Sequence, residues 1–142
     1  MKIIVAYDGS EASQRALEFA VNQAKSCEAA LIIAYVLEWS PYTFLTATEL
    51  EERHKRRQEE LERAETAVIK PVLDDLGDIG VPVETVIRYG HIADTLNDVA
   101  SSAGASLIVV GRNGQRGLSG RLFGSVAGTL AQSAPVPCTI VP

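Results

Sequence analysis

The sequence predicts an α/β fold, a single-layer sheet of five parallel strands with helices on both faces. Three observations predict it. Short apolar runs rich in branched residues recur along the chain, as expected of strands covered on both sides. Between them lie longer stretches whose apolar residues return every three or four positions, the period of an amphipathic helix. One of the strands passes into a helix through a glycine-rich loop, Gly111 to Ser125, and a helix start of that kind is a natural anion site.

Taken in order, Ile3 to Tyr7 is the first buried-strand run and ends at Asp8-Gly9-Ser10. Ser10 is placed to cap a helix whose buried stripe is Ala16, Leu17, Ala20, Val21 and Ala24. Ala30 to Leu37 is the second strand, followed by a loop carrying Trp39, Pro41, Tyr42 and Phe44. Glu49 to Ile69 reads as a long charged helix with Leu50, Leu61, Ala64 and Val68 as its apolar stripe. Pro71 should kink or restart it, because proline lacks the helical N–H donor and clashes with the preceding turn. Val81 to Arg88 alternates more than the other runs and is expected nearer an edge. His91 to Ala103 is the next helix, closed by Gly104; Ala105 to Val110 is the fourth strand, Ser125 to Ser133 a further helix, and Val136 to Val141 the last strand. Strands and helices alternating at this spacing imply right-handed crossovers.

The 142 residues amount to one domain, residues 1–142, with no repeat, linker or low-complexity tract. A chain of this size buries about two-thirds of the surface its unfolded form exposes. Composition is that of a folded globular protein, with 46% hydrophobic and 22% charged residues. The net charge of −5 gives no general attraction for nucleic acid. It conceals an asymmetry: every Asp and Glu lies at or before Asp98, and the charged side chains beyond it are Arg112, Arg116 and Arg121. Cys27 and Cys138 have neither disulfide nor zinc spacing and are expected to be reduced, buried thiols. The run from Lys2 to Asp8 is too short and too soon acidic for a signal-peptide core, and no apolar run approaches the roughly 20 residues of a spanning helix. A cytoplasmic protein that is not integral to a membrane is expected.

In an open parallel sheet, ligands bind at the carboxyl ends of the strands, where neighbouring connections leave toward opposite faces. Candidates there are Asp8-Gly9-Ser10, the loop after Leu37, Gly90-His91 and the loop after Val110. The last is the most informative. Glycines permit tight turns and close approach of a phosphate to the main chain, and the helix beginning near Ser125 offers free N–H groups and a positive dipole end. Gly124 would supply the close approach, Ser125 a hydroxyl and an N–H, and the arginines charge. The alternative is a plain connection with Ser125 as an ordinary cap. The loop has neither the lysine of a Walker loop nor the G-x-G-x-x-G dinucleotide fingerprint.

Gly111-x2-Gly114-x9-Gly124-Ser125 resembles the G-x2-G-x9-G-[ST] signature of the universal stress protein family, in its ATP-binding branch. The resemblance spans the chain, from Ile3-Ile4-Val5-Ala6-Tyr7-Asp8-Gly9-Ser10 through Leu122-Phe123-Gly124-Ser125-Val126 to the closing Pro135-Val136-Pro137-Cys138-Thr139-Ile140-Val141. It implies a Rossmann-like sheet of the adenine nucleotide alpha hydrolase-like type, with ATP, AMP or ADP, and Mg2+ beside it, across the first and fourth strands. By that resemblance Asp8 meets the nucleoside and the backbone of Val36 lines the adenine pocket. Gly111 and Gly114 match the ribose and phosphate turn, Val110 and Arg112 are counted with them in the expected nucleotide site, and Gly124, Ser125 and Val126 match the terminal phosphate cradle. Asn113 departs from the family, which often has a basic or imidazole residue there, and Gly120 makes the loop more flexible than usual. The resemblance also implies a homodimer through the last strand, with higher assembly open to it; Pro135, Pro137 and Pro142 limit the ladder bonds that edge can offer.

Beside its nucleoside role, Asp8 has a second reading as a turn former with Gly9. His91 reads as a first-turn surface histidine and His54 as a solvated one. Trp39, Tyr42 and Phe44 could roof the adenine, form a partner surface or cover the core edge. Cys138 reads as packing. No catalytic base and no metal set is visible, so the expected function is ATP-dependent regulation of assembly or of a protein partner; a slow ATPase or phosphotransferase using the same pocket is the alternative.

Overall fold

The structure, a computed structural model, describes residues 1–38, 47–113 and 125–142. Strand β1 (Lys2–Ala6) leads into helix α1 (Glu11–Cys27), then β2 (Ala30–Glu38) and α2 (Ala47–Ala64). A π-helical turn (Glu65–Ile69) joins α2 to α3 (Lys70–Leu76). There follow β3 (Val83–Gly90), α4 (Ile92–Ala103), β4 (Leu107–Gly111), α5 (Ser125–Ser133) and β5 (Cys138–Val141). The five strands form one sheet in the order β3-β2-β1-β4-β5, and every neighbouring pair is parallel.

The alternation of side chains along each strand divides the core into two layers. On one face Ile3 and Val5 of β1, Leu31 and Ile33 of β2 and Val109 of β4 pack with the predicted α1 stripe and with Ile69 and Val72. On the other, Ile4, Ile32, Ile108 and Val110 pack with Leu96, Val99 and Ala100 of α4 and Ala127 and Leu130 of α5. Helices α1 and α3 therefore cover one side and α4 and α5 the other. Complete burial of an Ile or Leu side chain is worth about 1.5–3 kcal/mol, and Ile4, Leu31, Ile33, Leu96 and Ile108 all reach it.

Local signals act where expected. Ser10 Oγ accepts from Ser13 N at 3.1 Å, capping α1. Gly104 closes α4 in the left-handed conformation at φ 66°, its N–H donating to Ala100 and Ser101 carbonyls. Strand β3 lies at one edge of the sheet and β5 at the other.

Three expectations need correction. The long helix does not run unbroken from Glu49 to Ile69: it starts at Ala47 and gives way after Ala64 to the π turn. Lys70 N–H bonds to Glu65 O, five residues back, so the register is already widened when Pro71 arrives without a donor at the start of α3. Leu50, placed in the apolar stripe, is exposed, whereas Ala64 is buried. Cys27 is exposed rather than buried, because it is the last residue of α1 and falls off its packed face; Cys138 is half-buried against the α4/α5 core, and burial pushes its thiol pKa up.

Candidate functional site

The chain leaves β1 toward the face covered by α1, and leaves its neighbour β4 toward the face covered by α5. The switch point of the sheet therefore lies between the carboxyl ends of β1 and β4, where opposite departures open a crevice. Register fixes what meets there. Ile4 pairs with Ile32 of β2 and Ile108 of β4, and Tyr7 N donates to Ala34 O at 2.9 Å, carrying the β1–β2 ladder past the end of β1. Continued by the same offsets, Asp8 comes level with Val36 on one side and Arg112 on the other.

Asp8 is half-buried, and its Oδ1 accepts from Ser10 N at 2.9 Å across exposed Gly9, which sits at φ 83°. The turn-forming reading is thus realised. It also fixes the carboxylate at the strand end, so the turn and a ligand role are compatible. Val36 is half-buried, its side chain packed against the α4/α5 core. Val110 is buried in that core, which leaves its backbone as the part able to meet a ligand.

Gly111 is positioned by a packing need that the sequence did not reveal. A Cβ built on it would lie 2.9 Å from Ala12 O and 3.0 Å from both Ala12 C and Ala12 Cβ. Glycine here lets the first turn of α1 cross the end of β4. Arg112 N donates to Val141 O at 2.7 Å, extending the β4–β5 ladder, and the Arg112 side chain is exposed. Ser125, exposed, and Val126, half-buried, open α5. Gly114, Gly124, Arg116 and Arg121, with Trp39, Tyr42 and Phe44, lie outside the described residues.

A cleft of ≈ 280 Å³ adjoins this region on the α4/α5 side. It is bordered by Glu38 at the end of β2, by His91 and Asp94 at the start of α4, and by Ser125, Val126 and Thr129 of α5. First-turn N–H groups of a helix have no intrahelical partner, and two helices begin at this one cleft. His91 is exposed at the cap position of α4 and makes no side-chain cap bond. Glu38 opens the loop after Leu37 that the sequence offers as a candidate, although nothing local singles it out there.

On the α1 side of the sheet, burial raises the pKa of Tyr7, aided by the nearby charges of Asp8 and Asp75 and opposed by a hydrogen bond that its hydroxyl accepts from Gln14 Nε2. Tyr35 is raised by burial and by Asp8. A phenol whose folded pKa exceeds its unfolded value stabilises the fold fully below the unfolded pKa, and that contribution is lost as pH rises through the folded one. Unfolding free energy is therefore expected to fall as pH climbs above the ordinary tyrosine value of 10.0. Tyr7→Phe should flatten that decline in urea titrations at graded alkaline pH; an unchanged slope would refute the assignment.

These elements define a doubly wound, Rossmann-like α/β protein whose switch point lies between β1 and β4. The family model for the universal stress protein family matches residues 1–142. The chain is 32% identical over 140 residues to universal stress protein MJ0531 of Methanocaldococcus jannaschii, covering 99% of this chain and 81% of that one. Its fold is similar to that of universal stress protein UspA from Lactobacillus plantarum, with TM-score 0.84, 26% identity and coverage of 100% and 97% of the two chains. A universal stress protein solved in complex with cAMP is similar at TM-score 0.63 and 27% identity, over 100% of this chain and 96% of that one. The chain belongs to the universal stress protein family.

Proposed function

We propose that this chain is an ATP-binding regulatory protein of the stress response, whose nucleotide occupancy modulates its oligomerisation or the binding of a protein partner. The reading is supported by the register of β1 with β2 and β4, which, continued past the strand ends, brings Asp8 level with Val36 and Arg112 at the switch point, beside the start of α5. The donor set suits a nucleotide: a carboxylate for ribose hydroxyls, a strand-end backbone for the base, and an arginine with helical N–H groups for phosphates. The relative solved with cAMP supports an adenine ring as the ligand's base. Val110, Gly111, Gly114, Gly124, Ser125 and Val126 complete the proposed site, with ATP the principal ligand and ADP or AMP its alternatives.

Among the described residues no group of three or more His, Cys, Asp and Glu could hold a metal, so Mg2+ would ride on the phosphate oxygens. No described helix is long and apolar enough to cross a membrane, and a cytoplasmic location is part of the proposal. The exposed edge of the sheet at β5 supports a homodimer through that strand.

Ligand linkage supplies the test. ATP with magnesium at about 100 times its dissociation constant should stabilise the fold by about 2.7 kcal/mol, or roughly 10 °C in melting midpoint for a chain of this length. Light scattering on the same samples should show a change in mass or in partner binding on ATP addition. No thermal shift with ATP, ADP or AMP would overturn the nucleotide reading. A shift without any change in assembly or partner binding would overturn the regulatory one.

A further inference from the structure

A second concave region among the described residues lies away from the switch point. It is a groove of ≈ 380 Å³ between α1 and α3, on the opposite face of the sheet from the cleft beside Ser125. Its floor is apolar: Leu17 and Val21 come from successive turns of α1, and Val72 and Leu76 from successive turns of α3. Its rim carries two carboxylates, Glu18 on α1 and Asp75 on α3. Both are exposed, and neither makes an ion pair with a described residue. No lysine or arginine lines the groove.

The negative charge of the rim also bears on the core beside it. Tyr7, buried behind the groove, feels the negative charge of Asp75 from one side and of Asp8 from the other. The one side-chain amide hydrogen bond seen at the rim is the donation from Gln14 to the Tyr7 hydroxyl, so that donor is not directed at the carboxylates. An apolar floor under unneutralised carboxylates is complementary to a molecule with an aliphatic body and cationic ends. The volume is that of a small-molecule site, and such sites form between helices.

We infer that the α1/α3 groove is a binding site for a small aliphatic organic cation, its hydrocarbon body on Leu17, Val21, Val72 and Leu76 and its ammonium groups on Glu18 and Asp75. The assignment is independent of the nucleotide reading, since no residue is shared between the two sites.

The test uses the full chain and 1,8-diaminooctane as probe, with 1,8-octanediol as its uncharged counterpart of the same length. In amide-resolved NMR titrations, diamine-induced shifts should map to residues 14–22 and 70–76, and the diol should bind about tenfold or more weaker. Glu18→Gln combined with Asp75→Asn should lower diamine affinity by a similar factor. Both positions are exposed, so the variant should keep its fold, and unchanged amide spectra away from the groove would verify that. Asp98→Asn combined with Glu84→Gln, at exposed positions that line neither cavity, makes the same change in net charge and should leave the affinity unchanged. The inference is overturned if the diamine causes no shifts at millimolar concentration, if its shifts scatter over every acidic patch, if the diol binds equally well, or if the double variant binds as the parent does.

Discussion

Gly111→Val is expected to destabilise the protein by about 2–3 kcal/mol and to weaken ATP binding along with it. The new Cβ alone would stand 2.9 Å from the carbonyl oxygen of Ala12, and valine adds two methyl groups to it. That neighbour is main chain in the first turn of a helix anchored by Ala16, Ala20 and Ala24, all fully buried, so it cannot swing aside as a side chain could. Relief requires α1 to lift from the end of β4, and the Asp8-Gly9-Ser10 turn that enters α1 would move with it. A chemical-denaturation midpoint and a nucleotide titration on the same sample would measure both effects. A valine variant within about 0.5 kcal/mol of the parent would show that the contact yields at little cost.

Asp8 separates two roles carried by one side chain. Asn keeps an oxygen able to accept from Ser10 N but removes the charge; Ala removes both. Asp8→Asn should therefore retain near-parent stability while losing about ten- to a hundredfold in ATP affinity, the worth of a charge-assisted hydrogen bond to the nucleoside. Asp8→Ala should show the same loss of affinity and, in addition, a stability loss of about 1 kcal/mol from the missing turn bond. Calorimetric titration of ATP against both variants, with free triphosphate as comparison, checks this. If Asn binds ATP as the parent does, or if triphosphate is weakened as much as ATP, Asp8 does not read the nucleoside.

Much of the fold was legible because its signals are local. The helix from Ser125 to Ser133, the Ser10 cap, the Gly104 stop and the α1 stripe all depend on residues within a few positions of one another. The strand order was partly legible: the more alternating third strand is an edge strand, as β3 shows. What escaped was long-range or register-dependent. Leu50 matches a helical stripe, yet α2 offers its sheet-facing side only near its end, at Ala64. Cys27 is apolar by type and exposed by position. At the candidate site, Asp8 and Gly111 were legible as strand-end residues. The contact between Gly111 and Ala12 was not, because it joins segments about a hundred positions apart. Glu38 and His91 came together at one cleft only once β2 and α4 were placed side by side.

The π turn from Glu65 to Ile69 sets the phase between two helical surfaces. Ala64 and Ile69 are both buried, at 5% and 2% exposure, although they are five residues apart. In an uninterrupted α-helix that spacing would rotate them about 140° away from each other. The widened turn absorbs the difference and keeps the end of α2 and the start of α3 buried on a common face. Deleting one residue from this turn would leave a continuous α-helix in which the two buried positions stand four residues apart, about 40° from one another, and so still on one face. The π turn therefore carries one extra residue without turning the charged face of α2 toward the sheet.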